Sequence, residues 1–393
     1  MNSKIKKIGI YIWELPYRYG GTESCAIKFA WVLQNMFPNA KIQFVSEVYS
    51  KKDYTSDKDI INRLNYLSGL TLNHKQTGLK PVFCSKKNKI SRKIMYSKIQ
   101  NSSKNFDLFF YCSRGNFHFK AKKNIAIIHF PVLPIVREKK KENKFDIPFY
   151  TKIKDYKYAK SYDLFLPNSK FSEKWLKKIR PDIDSKKIIQ LYHPVLPITY
   201  KNEKKENAIL ACSRIEKTKK LEALITAFKK SEYLSQNYKL WIAGNKDKDD
   251  PAYCETLQKL AKGSNITFYI SVKHEELTEL YNKATFFWHS KGFEVNEETE
   301  PENLEHFGMT TVEAMSAGCI PIVINKGGQP EIVTEGTGFC WNTLDELIKQ
   351  TENIAKLSEN EIQAYSKSAI KRSKDFNMEK FQTDLTKILS TIL

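Results

Sequence analysis

Short apolar runs alternate with helical patterns along most of this 393-residue chain, and this alternation limits its fold more than any other feature. Parallel strands need a long crossover connection, usually a helix, so the alternation predicts parallel sheets covered by helices. In the first half the predicted strands are 7–12, 42–45, 107–112, 125–129, 164–167 and 188–191. The predicted fold class is therefore α/β.

The chain is long enough to bury two ordinary cores. Its apolar pattern is interrupted near residues 194–207, where Pro194 and Pro197 precede a charged run. We predict an N-terminal Rossmann-like domain over residues 1–197 and a C-terminal Rossmann-like domain over residues 198–375. Parallel sheets that face across a cleft are expected, and the cleft should close on a ligand.

Two carboxylates eight positions apart, Glu305 and Glu313, flank a glycine turn at Gly308 that opens a helical pattern. Free N–H groups and the positive dipole end of a helix bind phosphate, so Gly308, Met309 and Thr310 are predicted to bind a diphosphate. Glu313 lies about one and a half turns into the helix and can reach a ribose diol. Solvated helix-end carboxylates are the alternative, and spacing alone does not decide between the two.

Two neighbouring segments also read as strand, turn and helix. Residues 319–325 precede Gly327 and Gly328, and residues 208–213 precede Arg214 and Lys219. Open α/β sheets bind ligands at the carboxyl ends of their strands. A guanidinium and an ammonium placed there could clamp a diphosphate, although Lys219 taken alone would more often be an ordinary surface lysine.

Together these motifs resemble the retaining glycosyltransferases of family 4, which have the two-domain GT-B fold. The resemblance covers most of residues 205–345. It rests on Ser213-Arg214-Ile215 with Lys219, Leu221 and 227–228, on 240–244, on the Glu-x7-Glu segment with Gly308 and 313–318, and on Gly327-Gly328 with 331–333. In the first half the matches are Gly20-Gly21, 127–131 and 166–169. The triplet His306-Phe307-Gly308 looks most like mannosyltransferases that extend lipid-linked oligosaccharides.

The resemblance implies roles for the matched residues of the second half. Arg214 and Lys219 would neutralise the diphosphate as it leaves, and no nucleophile is assigned. Glu313 would hold the ribose hydroxyls, and Glu305 would contact hydroxyls of the transferred sugar. One departure from the family is Lys220, which stands where members usually carry glycine.

In the first half, the resemblance implies that Gly20 and Gly21 let the backbone approach the diphosphate. His129 would touch the sugar near the scissile bond. A half-buried histidine at a strand end is the more common alternative. The last segment, residues 376–393, is amphipathic, and in this fold such a helix crosses back to the N-terminal domain.

The implied activity is the retaining transfer of a hexose, with mannose favoured, from a GDP- or UDP-sugar. The acceptor would be a glycan or a polyprenyl-linked sugar in surface polysaccharide biosynthesis. Two alternatives remain open. An epimerase or hydrolase of the same fold would need an extra acid/base pair, for which Glu294, Glu297 and Glu298 are candidates. A non-catalytic module that binds sugar nucleotides is the other.

No cofactor or metal is expected. Residues 247–249 and 182–184 both read Asp-x-Asp, but each lies in a polar turn, and cationic side chains already occupy the metal's role. The seven cysteines are scattered and form no Cys-x-x-Cys motif, which is typical of buried reduced thiols in a cytoplasmic protein.

Charge divides unevenly between the halves. Residues 1–195 contain 39 Lys and Arg against 15 Asp and Glu, whereas residues 196–393 contain 26 against 29. Between residues 74 and 105 lie nine basic residues and no acidic one, with Ile90 and Ile94 four positions apart. A helix there could lie on an anionic bilayer, or it could be a solvated lysine-rich face. No motif supports nucleic acid as the partner.

Only residues 8–13 are apolar near the N-terminus before an acidic residue, so no signal peptide is predicted. We expect a cytoplasmic protein that binds peripherally at the inner face of the membrane.

Overall fold

The computed structural model describes residues 4–13, 15, 20–48, 56–83, 89–113, 117–131, 157–247 and 250–393. The chain divides into two compact units, Met1–Pro194 with Phe381–Leu393, and Val195–Lys380. Each unit contains one six-stranded parallel sheet with helices, an α/β architecture as predicted. The first boundary lies three residues before the predicted one, at Pro194 rather than Pro197.

The N-terminal sheet has the strand order β3-β2-β1-β4-β5-β6. Its strands are β1 (Lys7–Ile12), β2 (Lys41–Val48), β3 (Thr77–Phe83), β4 (Leu108–Tyr111), β5 (Lys123–Ile128) and β6 (Leu164–Pro167). Helices described in this unit include α1 (Gly21–Met36), α2 (Asp57–Ser68), α3 (Lys89–Ser103) and α4 (Lys170–Ile179), with a last helix at the C-terminus described below. The central strand β4 is apolar along its whole length, because helices cover both faces of a parallel sheet.

The C-terminal sheet has the order β12-β11-β10-β7-β8-β9. Its strands are β7 (Glu206–Cys212), β8 (Lys239–Gly244), β9 (Ile266–Ile270), β10 (Ala284–His289), β11 (Ile320–Ile324) and β12 (Phe339–Trp341). The helices are α5 (Leu221–Lys230), α6 (Glu232–Asn237), α7 (Pro251–Ala261), α8 (His274–Lys283), α9 (Met309–Ser316), α10 (Gln329–Ile332), α11 (Leu344–Ala355) and α12 (Glu359–Ser373). Strands β11, β10 and β7 are neighbours, so their carboxyl ends meet at one edge.

One predicted strand is wrong. Residues 188–191 form no strand, and a single bridge joins Ile188 to Phe165 beside β6. The segment still runs along β6, because the amides of Ile189 and Leu191 donate to the carbonyls of Phe165 and Pro167 at 3.0 and 2.9 Å, but it does not form a regular strand. Strand β3, in contrast, escaped prediction because Gly78 and Pro81 interrupt its pattern. Proline is tolerated there because β3 is an edge strand.

The last helix, α13 (Met378–Ser390), contributes to the core of the N-terminal unit. Phe381, Leu385 and Leu389 are buried at helical spacing. The ring of Phe381 meets the ring of Phe29 on α1 edge to face, with centroids 4.6 Å apart. This packing joins the end of the chain to its first helix.

Within the described part of the chain, every helix is too short or too polar to cross a bilayer.

Removal of the Phe381 ring should destabilise the N-terminal unit. Phe381→Ala is expected to lower its free energy of unfolding by about 3–5 kcal/mol, because a buried aromatic ring leaves a cavity. Hydrogen–deuterium exchange of peptides covering α1 and β1 measures this locally. The exposed Lys387→Ala on the same helix is the control and should change exchange little. Unchanged protection of α1 in Phe381→Ala would contradict the packing.

Candidate functional site

Four side chains from the ends of two strands, β7 and β10, converge in the C-terminal unit. Lys219 follows β7, His289 ends β10, Lys291 lies two residues further, and Glu305 lies in the loop before α9. The Lys219 ammonium donates to Oε2 of Glu305 at 2.8 Å. The same oxygen lies 3.6 Å from Nε2 of His289 and 3.9 Å from Nζ of Lys291. A single carboxylate therefore faces two lysines and a buried imidazole.

Burial and charge oppose each other at this cluster. Burial by itself raises the pKa of Glu305, but Lys219, Lys291 and His289 outweigh it and hold that pKa well below its usual value. Burial lowers the pKa of His289, although Glu305 acts in the opposite direction. Burial likewise lowers the pKa of Lys291. At neutral pH the cluster thus contains an ionised Glu305 and a neutral His289.

The backbone around Glu305 is fixed by a glycine pair that follows β11. A Cβ on Gly327 would lie 2.3 Å from the carbonyl oxygen of Glu305, and one on Gly328 would lie 2.4 Å from that of His306. The amide of Gly328 donates to the Glu305 carbonyl at 2.8 Å. Two glycines are needed here because the two loops touch through their main chains. The contact sets where the Glu305 side chain begins.

Gly308 precedes the first residue of helix α9, and no side chain caps this helix start. Gly308 has φ +119°, a conformation that favours glycine, and a Cβ there would lie 2.4 Å from Nε2 of Gln329. Gln329 is fully buried, and its Oε1 accepts from the Thr311 hydroxyl at 2.9 Å. The first N–H groups of α9, those of Met309 and Thr310, have no acceptor within a helix that starts here. An anion fits such a helix start.

Glu313 lies on the same helix, where the hydroxyl of Tyr281 donates to its Oε2 at 3.2 Å. Tyr281 is buried, and its pKa is raised well above the usual value, first by burial and then by Cys212 and Glu313. Burial raises the pKa of Cys212 to about 12, so this thiol is protonated. The predicted ribose ligand, Glu313, is thus oriented by a tyrosine that no motif indicated.

Arg214 lies in the turn after β7 and is mostly exposed, with its guanidinium 2.8 Å from Glu216. The turn packs against the end of β8, where a Cβ on Gly244 would lie 1.7 Å from the carbonyl oxygen of Ser213. Gly244 has φ +158°, so the close approach as well as the backbone conformation requires glycine there. The backbone of Arg214 is therefore held in place by the contact with β8, while its guanidinium is exposed to solvent.

Lys220 adopts the left-handed conformation, with φ +54° and ψ +38°. Glycine adopts the left-handed conformation without strain, which explains why it suits this position. The turn has the same left-handed geometry with lysine there. The hydroxyl of Ser290 reaches the carbonyl oxygens of Lys219 and Lys220 at 2.9 and 3.1 Å. Ser290 thereby ties the Lys219 turn to the end of β10.

The remaining predicted site residues belong to the N-terminal unit. Gly20 precedes α1 in an extended conformation that any residue can adopt, and Gly21 is the first residue of the helix. His129 follows β5, and its ring packs edge to face on that of His193 with centroids 4.8 Å apart. Its carbonyl accepts from the Ser172 hydroxyl at 3.1 Å. Three predicted residues thus lie at the ends of strands or the start of a helix in this unit.

Of the two Asp-x-Asp motifs, 182–184 is bonded to neighbouring protein groups, and 247–249 lies partly outside the described residues. Asp182 forms a two-pronged ion pair with Arg180, with nitrogen–oxygen distances of 2.7 and 2.6 Å. Asp184 accepts from the amide of Lys186 at a short helical turn. Asp249 lies outside the described residues. Among the described residues no cluster of three or more His, Cys, Asp or Glu is arranged to hold a metal.

Sequence reasoning missed Lys291 and gave His289 no role at the site. Both residues lie at the start of the connection from β10 to α9, and Glu305 lies near its end, so the path of this connection brings them together. The available signal was position, since His289 is the last residue of a buried strand and Lys291 follows two residues later.

The sequence and the fold were compared with those of known proteins. Residues 198–376 match the family described as glycosyl transferases group 1. The crystal structure of Anabaena Alr3699/HepE in complex with UDP and glucose superimposes with a TM-score of 0.70 at 13% identity, covering 98% of this chain and 100% of that one. At such low identity the likeness shows the fold alone. The fold is that of the GT-B glycosyltransferases.

Two curated relatives have similar sequences. One is the GDP-Man:Man(3)GlcNAc(2)-PP-Dol alpha-1,2-mannosyltransferase of Dictyostelium discoideum, 29% identical over 42% of this chain and 33% of its own length. The other is the alpha-1,3/1,6-mannosyltransferase alg-2 of Neurospora crassa, 24% identical over 68% of this chain and 60% of its own. The chain therefore matches from a third to three-fifths of the length of these relatives.

Substitution of Lys220 tests the left-handed turn beside Lys219. Lys220→Gly should raise the free energy of unfolding by about 0.5–1 kcal/mol, because relief of left-handed strain exceeds the added chain entropy. Lys220→Val should lower it by about 1–3 kcal/mol. Urea unfolding measures both. Lys259→Gly, in the regular helix α7, is the control and should lose about 1 kcal/mol. If Lys220→Gly lowers the free energy of unfolding by a similar amount, Lys220 is not strained in a left-handed turn.

Proposed function

We propose that this protein is a retaining, metal-independent glycosyltransferase. It moves a hexose from a nucleotide-diphosphate sugar to a glycan or lipid-linked acceptor in cell-surface glycan biosynthesis. The observation that carries the proposal is the Lys219–Glu305 ion pair, 2.8 Å long, beside the uncapped start of α9 in the segment that matches group 1 glycosyltransferases.

An excess of positive charge at the site favours an anionic ligand. Lys219, Lys291 and Arg214 carry three positive charges, and the carboxylates nearest to them are Glu305 and Glu216. Both lysines are only 15% exposed, so water compensates little for the surplus. A buried surplus of one sign is costly unless a ligand of opposite charge completes the site. A diphosphate supplies that charge.

In the proposed reaction the bond between the anomeric carbon and the diphosphate oxygen breaks, and its electron pair leaves with the diphosphate. Lys219, Arg214 and the N–H groups at the start of α9 stabilise this charge, and fixed donors of this kind usually supply most of an enzyme's rate enhancement. The acceptor hydroxyl attacks on the same face, and the departing phosphate oxygen takes its proton. The products are a glycoside and a nucleoside diphosphate.

The two carboxylates have different tasks. Glu313, oriented by Tyr281, accepts hydrogen bonds from the ribose hydroxyls. Glu305 is held ionised by its cations and accepts from hydroxyls of the transferred sugar. His129 is proposed to contact the sugar from the N-terminal unit, and Gly20 and Gly21 to let the backbone approach the diphosphate.

GDP-mannose is the favoured donor, and mannose is then the transferred sugar. The Dictyostelium and Neurospora relatives are named as mannosyltransferases, and the name of the first includes GDP-Man and a dolichol-linked acceptor. The Anabaena structure contains UDP and glucose, so UDP-sugars remain the second choice. The name of the Dictyostelium relative also supports the proposal of a lipid-linked glycan acceptor.

The epimerase or hydrolase alternative has less support. Of its candidate residues, Glu294 is 69% exposed and lies 3.9 Å from the ammonium of Lys220. Such an exposed carboxylate is poorly placed to act as a general acid, which needs a raised pKa. A module that only binds sugar nucleotides has the same site and differs in turnover alone.

An anionic membrane surface is the proposed partner of the N-terminal unit, at the cytoplasmic face. Ile90 and Ile94 on α3 are 72% and 54% exposed, one turn apart, while Met95 and Ile99 form the buried face. Exposed lysines lie on both sides of the two isoleucines. Apolar side chains between lysines match the boundary between lipid headgroups and acyl chains. A bilayer would bind this face by insertion and by charge.

Loss of either site cation should abolish most turnover. Arg214→Ala and Lys219→Ala are each expected to reduce kcat/KM at least about 100-fold, because a fixed charge on the leaving group is lost. Activity is assayed with GDP- and UDP-sugars, with and without a polyprenyl-diphosphate-sugar acceptor. The exposed Lys283→Ala is the control.

The same assay separates the alternatives. Acceptor-dependent glycoside that forms equally in EDTA supports the proposal, whereas an epimerised or hydrolysed donor without acceptor supports the second class. Binding without turnover supports the third. Near-normal turnover in both variants would refute the assignment of Arg214 and Lys219.

Vesicle co-sedimentation tests the membrane face. Replacement of Lys93 and Lys98 by Glu should weaken binding to phosphatidylglycerol vesicles at least about tenfold, since each basic residue near the surface contributes on the order of 1 kcal/mol. Ile90→Ser with Ile94→Ser should also weaken it. Lys259→Glu and Lys283→Glu, in the other unit, keep the charge change constant as a control. Equal losses in test and control variants, or binding indifferent to salt, would contradict the surface.

A further inference from the structure

Lys291 is a cation of the site that no motif indicated. It follows β10 by two residues, and its side chain is 15% exposed. Its ammonium lies 3.9 Å from Oε2 of Glu305, on which Lys219 already donates at 2.8 Å. Both lysines line one small pocket together with His289 and Ser290. Glu305 therefore has two cations where one direct partner would satisfy it.

The charges that face Lys291 come from every element packed around it. Glu305 and Glu216 favour its ammonium form, whereas Lys219 and Arg214 disfavour it. His289, on the same strand end, is buried and has a lowered pKa. Burial and the two neighbouring cations, Lys219 and Arg214, both oppose a charged Lys291. The Lys219–Glu305 ion pair does not need this second ammonium, so Lys291 is expected to have another role.

We propose that Lys291 is a positioning residue that holds Glu305 ionised and in place when Lys219 turns to the diphosphate of the donor. The inference rests on the proposed function, because it requires a diphosphate at Lys219. On binding, the ammonium of Lys219 is drawn toward two phosphate charges and its hold on Glu305 weakens. The flexible four-carbon stem of Lys291 lets its ammonium close the present 3.9 Å gap.

Without Lys291, the remaining neighbour of Glu305 on this side is the ring of His289 at 3.6 Å. A buried carboxylate that loses its cations takes up a proton, because burial disfavours its charged form. Protonated Glu305 is a donor as well as an acceptor and binds sugar hydroxyls less well. Lys291 thus preserves the charge that makes Glu305 useful.

Proton uptake during nucleotide binding tests this role directly. UDP and GDP are each titrated into the full chain at pH 6 in two buffers of different ionisation enthalpy, and calorimetry gives the number of protons taken up. Lys291→Met is expected to take up roughly half a proton more than the unmodified protein, because Glu305 becomes protonated. Lys291→Arg keeps the charge and should behave as the unmodified protein. Lys291→Gln is a second neutral variant should the Met variant fail to fold.

A double variant identifies the group that takes up the proton. The extra uptake should vanish in Lys291→Met with Glu305→Gln and persist in Lys291→Met with His289→Gln. If Lys291→Met and the unmodified protein take up equal numbers of protons, the proposed role of Lys291 is wrong. It is also wrong if the extra proton uptake persists after Glu305 is replaced. Either result leaves the proposed function standing. An unmodified protein that binds neither nucleotide overturns the proposed function and this inference with it.

Discussion

The contact between the glycine pair after β11 and the backbone of residues 305–307 is the constraint on which the site depends. Because Gly327 and Gly328 have no Cβ, the two loops meet through their main chains, and the amide of Gly328 bonds to the Glu305 carbonyl. The Glu305 carboxylate then lies where Lys219, Lys291 and His289 converge. A side chain at either glycine would displace the loop and with it the anion that organises three cationic or imidazole groups.

Charge and helix geometry act together at this edge of the sheet. Strands β11, β10 and β7 are neighbours, so their loops bring an uncapped helix start, two half-buried lysines and Arg214 to one place. The helix start provides fixed N–H donors, and the lysines provide mobile charge. The resting protein satisfies one lysine with Glu305 and keeps a surplus of positive charge, which suits a ligand that arrives and leaves as an anion.

Much of the fold followed from pattern, because buried parallel strands read as apolar runs separated by helices. The same reasoning erred at 188–191, where the chain bonds to β6 without forming a regular strand, and missed β3, where Gly78 and Pro81 interrupt the pattern of an edge strand. At the site, spacing indicated Glu305, Gly308 and Lys219 because each lies in a local strand, turn and helix motif. Tyr281 could not be predicted, since its contact with Glu313 depends on which helices become neighbours in space. For Lys291 the sequence offered only its position just after a buried strand.

A crystal structure of the protein with UDP or GDP bound tests the central claim most directly, because the claim concerns where a diphosphate lies. The account predicts phosphate oxygens within hydrogen-bond distance of Nζ of Lys219 and of the first backbone amides of α9, and Glu313 on the ribose hydroxyls. It also predicts that the ammonium of Lys291 lies closer to Glu305 than the 3.9 Å of the present structure. A diphosphate bound away from Lys219 and the start of α9 would contradict the account.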